Sequence, residues 1–173
     1  MMETHPDTTS LENEHMTDPT ETELDFVDEV AVFFADEGMP LIAGRVIGWL
    51  LISDPPEQSA ADLARVLEVS RSSISSSAKL LTPSGLVESV RKRGQRQEYL
   101  RISADGWSRM LANRYAKTTA FRQIVERGLD VLDEPSTGRR DRLENVAELY
   151  AFLEVELPAM WDRWGQWQAS RRS

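Results

Sequence analysis

The sequence predicts a mainly α-helical fold with one small β-hairpin. Through most of the chain, apolar residues recur three and four positions apart, which is the spacing of one helix face. Two short segments, Leu86 to Val90 and Glu98 to Ile102, flank a glycine-containing tip and predict paired strands. The chain has 173 residues, 40% of them hydrophobic and 28% charged, which suits one compact lobe with helical extensions.

The composition excludes several classes of function. The sequence has no cysteine, so disulfides, thiolate metal sites and thiol nucleophiles are excluded. Its only histidines, His5 and His15, lie in a polar leader, so the rest of the chain offers no imidazole to a catalytic triad. It also lacks a Gly-rich phosphate loop and a nucleophile elbow. We therefore expect no enzyme activity, no metal and no cofactor.

No segment of the sequence predicts a membrane span. The longest apolar run, Leu41 to Ile52, is interrupted by Arg45 and is shorter than the about 20 residues that a span needs. The N-terminus is acidic and lacks an apolar signal core. We expect a cytoplasmic protein.

Charge is distributed unevenly along the chain. The formal net charge is -9, yet the first 44 residues contain 12 acidic residues and no lysine or arginine. Residues 65–101 carry eight basic and three acidic residues, a net charge of +5. Because phosphate binding depends on where cations cluster, this local segment is compatible with a nucleic-acid partner.

The N-terminal region divides into a leader and a helix. Residues 1–21 are rich in Thr, Glu, Asp and Pro and predict a disordered leader, because they cannot bury enough surface to order themselves. A helix is predicted over residues 22–38, with Leu24, Val27 and Phe34 on one face.

A second helix, Leu41 to Ile52, follows. Pro40 suits its first turn, where the missing N–H would have no partner. Gly44 and Gly48 lie four residues apart and indicate close approach of a neighbouring backbone. The helix should end before Pro55, because a residue that precedes proline is disfavoured in the helical region.

Two short helices separated by a three-residue turn come next. Ser59 can cap a helix over residues 60–67, and Ser70 can cap a second helix from Arg71 to about Leu81. This is the helix-turn-helix pattern. The residues predicted to face inward on the second helix are Ile74, Ala78 and Leu81.

The outward face of that second helix is rich in hydroxyls and cations. Serine is a mediocre helix former, so a run of serines between two cations requires another explanation. Short hydroxyls allow close approach to a DNA groove, and Arg or Lys can reach guanine acceptors. The alternative is a flexible serine linker, although linkers do not keep apolar residues in helical register. The predicted DNA-contacting residues are Ser70, Arg71, Ser72, Ser73, Ser75, Ser76 and Lys79.

A basic hairpin tip follows the helix-turn-helix. Ser84-Gly85 should end the helix, and four cations and a glycine lie between the two predicted strands. Such a wing lies along the DNA backbone, and a narrow minor groove favours an inserted guanidinium. The alternative is a solvated loop. The predicted wing contacts are Arg91, Lys92, Arg93, Gln95 and Arg96.

Several segments carry a family resemblance. They are Gly44 to Leu51 with Asp54-Pro55-Pro56, Ala61 to Ala64, Val69 to Ser75, Ser84 to Glu88, and Gly94-Gln95-Arg96. These segments resemble the MarR superfamily of winged helix-turn-helix transcriptional regulators. The most similar part of it is the GbsR-like branch, which includes actinobacterial repressors of lipid and drug exporters.

The resemblance, which covers residues 24–135, implies a fold and a function. It implies a winged helix-turn-helix DNA-binding lobe over residues 39–104 and a homodimeric repressor whose first and last helices form a helical dimerisation layer. It matches the wing arginine of the family to Arg96, although Gly94 stands where many members have an acidic residue.

The C-terminal third, residues 105–173, supports a dimer independently. Residues 105–133 keep helical spacing and predict one helix of about 40 Å. A heptad seam follows, in which Pro158 predicts a kink or a break. The seam either pairs two chains or packs within one chain. The predicted dimer-interface residues are Leu24, Val27, Phe34, Leu143, Val146, Tyr150, Leu153, Leu157 and Trp164.

An effector pocket is expected where the DNA-binding lobe joins the dimer helices. Phe34, Trp49 and Trp107 are candidate apolar walls, and Arg45 or Arg114 could face a polar headgroup. Ordinary core packing is the alternative for each aromatic residue. The expected effector is a small apolar or acyl-type molecule that shifts the dimer between two conformations.

The leading functional hypothesis is a homodimeric repressor that binds double-stranded DNA at an inverted repeat, with recognition helices about 34 to 36 Å apart. It would control an adjacent efflux or lipid transporter. The alternative is a non-catalytic dimeric winged-helix scaffold for protein–protein interaction. The cationic segment and the serine face favour DNA binding.

Overall fold

The computed structural model describes residues 18–92, 97–132 and 137–172, apart from the side chains of residues 114, 137 and 172. The predicted leader up to residue 17 and the wing residues Arg93, Gln95 and Arg96 lie outside this described part. The elements are α1 (Glu21–Asp36), α2 (Leu41–Ile52), β1 (Gln58–Ser59), α3 (Ala60–Val66), α4 (Arg71–Ser84), β2 (Val87–Arg91), β3 (Glu98–Ile102), α5 (Gly106–Tyr115), α6 (Thr118–Asp130) and α7 (Thr137–Arg172). The predicted mainly α-helical fold with a small hairpin is confirmed.

The chain forms two compact units. The first contains residues up to 83 together with 87–102, and the second contains residues 84–86 together with those from 103 onward. Helix α1 therefore belongs to the same unit as the helix-turn-helix. None of the described helices is long and apolar enough to cross a membrane.

Helices α1 and α2 pack closely in the first unit. Thr20 caps α1 through a capping box with Glu23. A Cβ added at Gly44 would lie 2.7 Å from the Cα of Ala31, and one at Gly48 would lie 3.0 Å from the Cα of Val27. The predicted close approach at the two glycines is confirmed, and it explains why no larger residue fits there.

The burial of α1 corrects part of the predicted dimer interface. Val27 and Phe34 lie in the core of the first unit, with 0% and 6% of their surface exposed. They are not available to a second chain, because the face of α1 that carries them packs inside the unit. The large apolar residues that α1 leaves exposed are Phe26, Val32 and Phe33.

The small sheet contains three antiparallel strands in the order β1-β3-β2. The hairpin of β2 and β3 pairs Val87 with Ile102 and Arg91 with Glu98. Strand β1, which the sequence did not predict, pairs with the other edge of β3. The sheet thereby ties the hairpin to the residues that immediately precede α3.

The predicted single helix over residues 105–133 is wrong. Helix α5 ends at Tyr115 and α6 begins at Thr118, with a turn between them. The Thr118 hydroxyl donates to the carbonyl oxygen of Tyr115 at 2.8 Å. A threonine side chain that bonds a nearby backbone group competes with the helical pattern, which explains the interruption.

Helix α7 is continuous through Pro158. The sequence predicted either a kink or a break at this proline, and the break is therefore excluded. Proline removes only one N–H from the helical ladder, and the turns on both sides keep theirs. The predicted seam packs within the chain: Leu143 contacts the position of Gly128, Tyr150 lies against Phe121 at 5.0 Å between ring centroids, and Trp164 donates to Ser108.

Candidate nucleic-acid interface

Helix α4 starts at a serine cap that organises its first turn. The Ser70 Oγ accepts a hydrogen bond from the backbone N–H of Ser73 at 3.1 Å, which confirms the predicted cap. The same oxygen lies 2.7 Å from the Ser72 Oγ and 2.8 Å from the Ser73 Oγ. Three hydroxyls therefore share one small hydrogen-bonding network at the N-terminal end of this helix.

The outward face of α4 is as polar as predicted. Arg71, Ser72, Ser75, Ser76 and Lys79 are exposed, whereas Ser73 is half-buried. The inward face needs one correction. Ile74 and Leu81 are buried as predicted, but the third fully buried position is Ser77, and Ala78 is half-buried.

A shallow groove runs beside this face within the first unit. It encloses about 310 Å³ between the start of α2 and the serines of α4. Its lining residues are Pro40, Ile42, Ser72, Ser73, Ser76, Ser77 and Leu80. The hydroxyls of α4 are thus open to a molecule that approaches along the helix.

The turn between α3 and α4 fixes the angle of the helix-turn-helix. Glu68 has a positive φ of 53°, a conformation that non-glycine residues rarely adopt. The N–H of Val69 donates to the carbonyl of Ala64 at 3.0 Å and closes the end of α3. Arg45 of α2 braces the same turn, because it donates to the carbonyl of Leu67 at 2.9 Å and pairs with Asp28 at 2.7 Å.

A network of charges holds the base of the wing. Glu57, just before β1, pairs with Arg101 at 3.0 Å and with Lys92 at 3.4 Å. Arg101 also pairs with Glu88, its cross-strand neighbour, at 2.6 Å. The carboxylate of Glu88, followed by that of Glu57, raises the pKa of Arg101 above its ordinary value. Arg101 thus acts in the wing as a structural cation.

Lys92 stands where the described part of the wing ends. Its ammonium group lies 4.6 Å from the centre of the Tyr99 ring, in addition to its contact with Glu57. The Tyr99 hydroxyl accepts a hydrogen bond from Gln97. Lys92 and Gln97 are the last described residues before and after the tip, and these contacts hold both of them.

Sequence reasoning missed Glu57 and the strand that follows it. A two-residue strand has no periodicity to detect, and Glu57 follows two prolines in what looks like a linker. Gln58 is almost fully buried at 1% exposure, and its side chain donates to the carbonyl of Pro55 at 2.6 Å. The one available indication was a polar residue placed immediately before a capping serine.

Two of the residues predicted to line an effector pocket, Trp49 and Arg45, have structural partners in the first unit. Trp49 is buried in the first unit and donates to Gln58 at 3.4 Å, and Arg45 is engaged as described above. Trp107 belongs to the second unit and is 38% exposed. The side chain of Arg114 lies outside the described part. None of Phe34, Arg45, Trp49 and Trp107 lines the α4 groove.

Comparisons with known proteins match both units. A family model described as the MmpR5-like MarR family transcriptional regulator matches residues 105–168, and a MarR family model matches residues 37–98. The HTH-type transcriptional regulator MmpR5 of Mycobacterium tuberculosis (strain ATCC 25618 / H37Rv) is 29% identical over 131 residues, which are 76% of this chain and 79% of that protein. A crystal structure of a transcriptional regulator is similar with a TM-score of 0.73 and 28% identity, covering 84% of this chain and 99% of the other.

The helix-turn-helix and its three-stranded sheet define a winged-helix transcriptional regulator. Its two family matches lie on either side of the sheet's last strand and both describe the same group of proteins. Residues 37–98 and 105–168 are thus each similar to MarR family transcriptional regulators.

Proposed function

We propose that this chain is a sequence-specific repressor that binds double-stranded DNA as a homodimer. The observation that carries the proposal is the exposed face of α4, where Arg71, Lys79 and the serine hydroxyls project from a capped helix. Such a face supplies the donors and acceptors that read base edges and phosphates. Helix α4 enters the major groove in this proposal.

The residues of α4 and of the wing have different roles. Arg71 and Ser72, in the first turn of α4, contact base edges, as N-terminal residues of recognition helices do. The remaining α4 contacts are Ser70, Ser73, Ser75, Ser76 and Lys79. The wing residues Arg91, Lys92, Arg93, Gln95 and Arg96 follow the phosphate backbone and bring a guanidinium to the minor groove.

The exposed apolar surface supports a dimer. Leu149, Phe152 and Val155, three residues apart from one another along α7, form a stripe of residues that are each more than half exposed. Monomeric proteins rarely leave a large contiguous apolar patch in water. We therefore place the α7 half of the dimer interface on this stripe, with Phe26 and Phe33 of α1 as a second contribution.

Release from DNA is the remaining part of the proposal. A small apolar or amphipathic effector that binds one dimer conformation better than the other shifts the population toward it. The resemblance to regulators of lipid and drug exporters in the GbsR-like branch supports an efflux or lipid transporter, encoded nearby, as the regulated target.

The test is selection of bound duplexes from a random pool with the full chain, at about 50 mM salt, where phosphate contacts are strongest. The expected product is an inverted repeat with half-sites one helical turn apart. If the protein binds no duplex, the alternative function, a dimeric scaffold for protein–protein interaction, is favoured. If it binds every duplex equally, it does not recognise base sequence.

The matched variants are Arg71→Ala on α4 and Arg171→Ala on α7. Loss of Arg71 should weaken binding to the selected site about tenfold or more, with little effect on a random duplex, because a bidentate base contact contributes about 1–3 kcal/mol. Arg171→Ala should change neither. Equal losses on both duplexes would show that Arg71 only positions the helix.

A further inference from the structure

Glu57 lies where the chain enters the small sheet, and its carboxylate contacts two cations of the wing. It directly precedes β1, which pairs with β3. Only 25% of its side chain is exposed. Its Oε1 lies 3.0 Å from Arg101 and its Oε2 lies 3.4 Å from Lys92. The backbone pairing of the next two residues and the two ion pairs together fix this carboxylate relative to the wing.

The two cations differ in their other contacts. Arg101 is shared with Glu88, which it contacts at 2.6 Å. The ammonium group of Lys92 lies between Glu57 and the ring of Tyr99, whose centre is 4.6 Å away. Without Glu57, Arg101 would keep a carboxylate partner, whereas Lys92 would keep the contact with the Tyr99 ring. Glu57 therefore matters more for the position of Lys92 than for that of Arg101.

The position of Lys92 still allows a phosphate to approach. An ammonium group has three N–H donors, and in lysine it stands on a flexible stem of four carbons. Glu57 and the Tyr99 ring take two sides of this group, and 34% of the Lys92 side chain remains exposed. Ordering a long side chain at an interface opposes binding, so a lysine that is ordered beforehand should bind more tightly.

We infer that Glu57 is a positioning residue for DNA binding, which holds the ammonium group of Lys92 at the base of the wing for contact with a backbone phosphate. Glu57 itself does not contact DNA. This inference rests on the proposed function, because it requires the wing to follow the phosphate backbone. It makes an acidic residue favourable for binding a polyanion, which is the reverse of what its charge alone predicts.

The experiment measures binding of the full chain to the selected duplex at salt concentrations from about 50 to 200 mM. Lys92→Met removes the charge and keeps a long side chain. It should weaken binding about fivefold and reduce the dependence of log affinity on log salt concentration by about one unit, as loss of one phosphate contact does. In a Glu57→Gln background, Lys92→Met should weaken binding only about twofold or less, because the ammonium group is no longer held in place.

Two further variants separate position from charge. Glu57→Asp keeps the charge but is one methylene shorter, so it should weaken binding and reduce the effect of Lys92→Met in the same way. It also keeps the test decisive if Glu57→Gln fails to fold. Glu88→Gln is the matched control, since it removes an acidic residue of the same network that contacts Arg101. The effect of Lys92→Met should remain about fivefold in that background.

The outcomes distinguish this inference from the proposed function. If Lys92→Met has an equal effect with and without Glu57, the two residues are not coupled. If its effect is larger in the Glu57→Gln background, Glu57 competes with DNA for Lys92. Either result, or an unchanged salt dependence in Lys92→Met, would overturn the inference while binding that depends on Arg71 supports the proposed function. Failure to bind any duplex would overturn both.

Discussion

The two units of this chain differ in how completely they bury their apolar side chains. Among the described residues, the fully buried apolar ones lie almost entirely in the first unit, and the second contributes only Leu86 and Val125. Helix α7 is 36 residues long and has no fully buried residue among those described. The first unit therefore has a buried core of its own, although α1 also leaves Phe26 and Phe33 exposed, whereas the second unit has almost no buried apolar core.

The largest expected effect separates the two units by stability. Leu63 in α3 has no exposed surface, so Leu63→Ala should lower the free energy of unfolding by about 2–5 kcal/mol through lost burial and a cavity. Val131→Ala at the end of α6, where 76% of the residue surface is exposed, should change it by about 0.5 kcal/mol or less. Urea unfolding followed by circular dichroism at one protein concentration measures both, and equal losses would contradict the comparison.

Glycine substitutions sharpen the same contrast. Gly44→Ala should destabilise the chain by about 1–3 kcal/mol, because the new Cβ meets the backbone of Ala31 at 2.7 Å and the helices must separate. Gly165→Ala on α7 should stabilise it by about 0.5–1 kcal/mol, since nothing lies within 4 Å of the added Cβ and alanine favours the helix. Thermal unfolding of both variants checks the opposite signs. A stabilising Gly44→Ala would show that α1 is loosely held.

The exposed stripe of α7 gives a test that depends on association. Phe152, at 60% exposure, should contribute to a dimer contact, so Phe152→Ser should raise the dimer dissociation constant about tenfold, or about 1.4 kcal/mol. Arg163→Ser, at another exposed position on α7, is the control. Sedimentation equilibrium measures the constant for each protein. A dimer unaffected by Phe152→Ser would place the interface elsewhere.

The smallest expected effect concerns the start of α1. The backbone N–H of Thr20 donates to the Glu23 carboxylate and, with the Thr20 hydroxyl, holds the pKa of Glu23 below its ordinary value of 4.5. This stabilisation is present above the ordinary pKa and is lost as the pH falls through the lower folded pKa. Glu23→Gln should remove that part of the acid dependence, and Glu21→Gln should not. Melting temperatures of both variants at neutral and acidic pH show whether only Glu23→Gln reduces the loss of stability in acid.

Much of the first unit could be predicted from the sequence because local rules determine it. The caps at Ser59 and Ser70, the paired glycines of α2 and the limits of β3 each depend on a few neighbouring residues. The polar face of α4 was predicted for the same reason, since helical spacing assigns each side chain to one side.

The errors arose where a local side-chain hydrogen bond or a tertiary contact, neither of them visible in apolar spacing, determines the structure. Apolar spacing continues through Tyr115 and Thr118, so only the hydroxyl that bonds a carbonyl reveals the turn between α5 and α6. Apolar spacing alone also could not show that the α7 seam faces α6, because the same seam could pack against a helix of its own chain or against a helix of a second chain. The Glu57 contacts depend on a sheet edge that two residues form.

The Ser70 hydroxyl network has a consequence for what α4 can recognise. In the contacts of Ser70 with Ser72 and Ser73, either oxygen can be the donor. A rotation of the hydroxyl protons, with no movement of heavy atoms, turns a hydrogen-bond donor into a hydrogen-bond acceptor. One arrangement of serines can therefore meet a cytosine amino group on one duplex and a phosphate oxygen on another, and the bound partner selects the polarity.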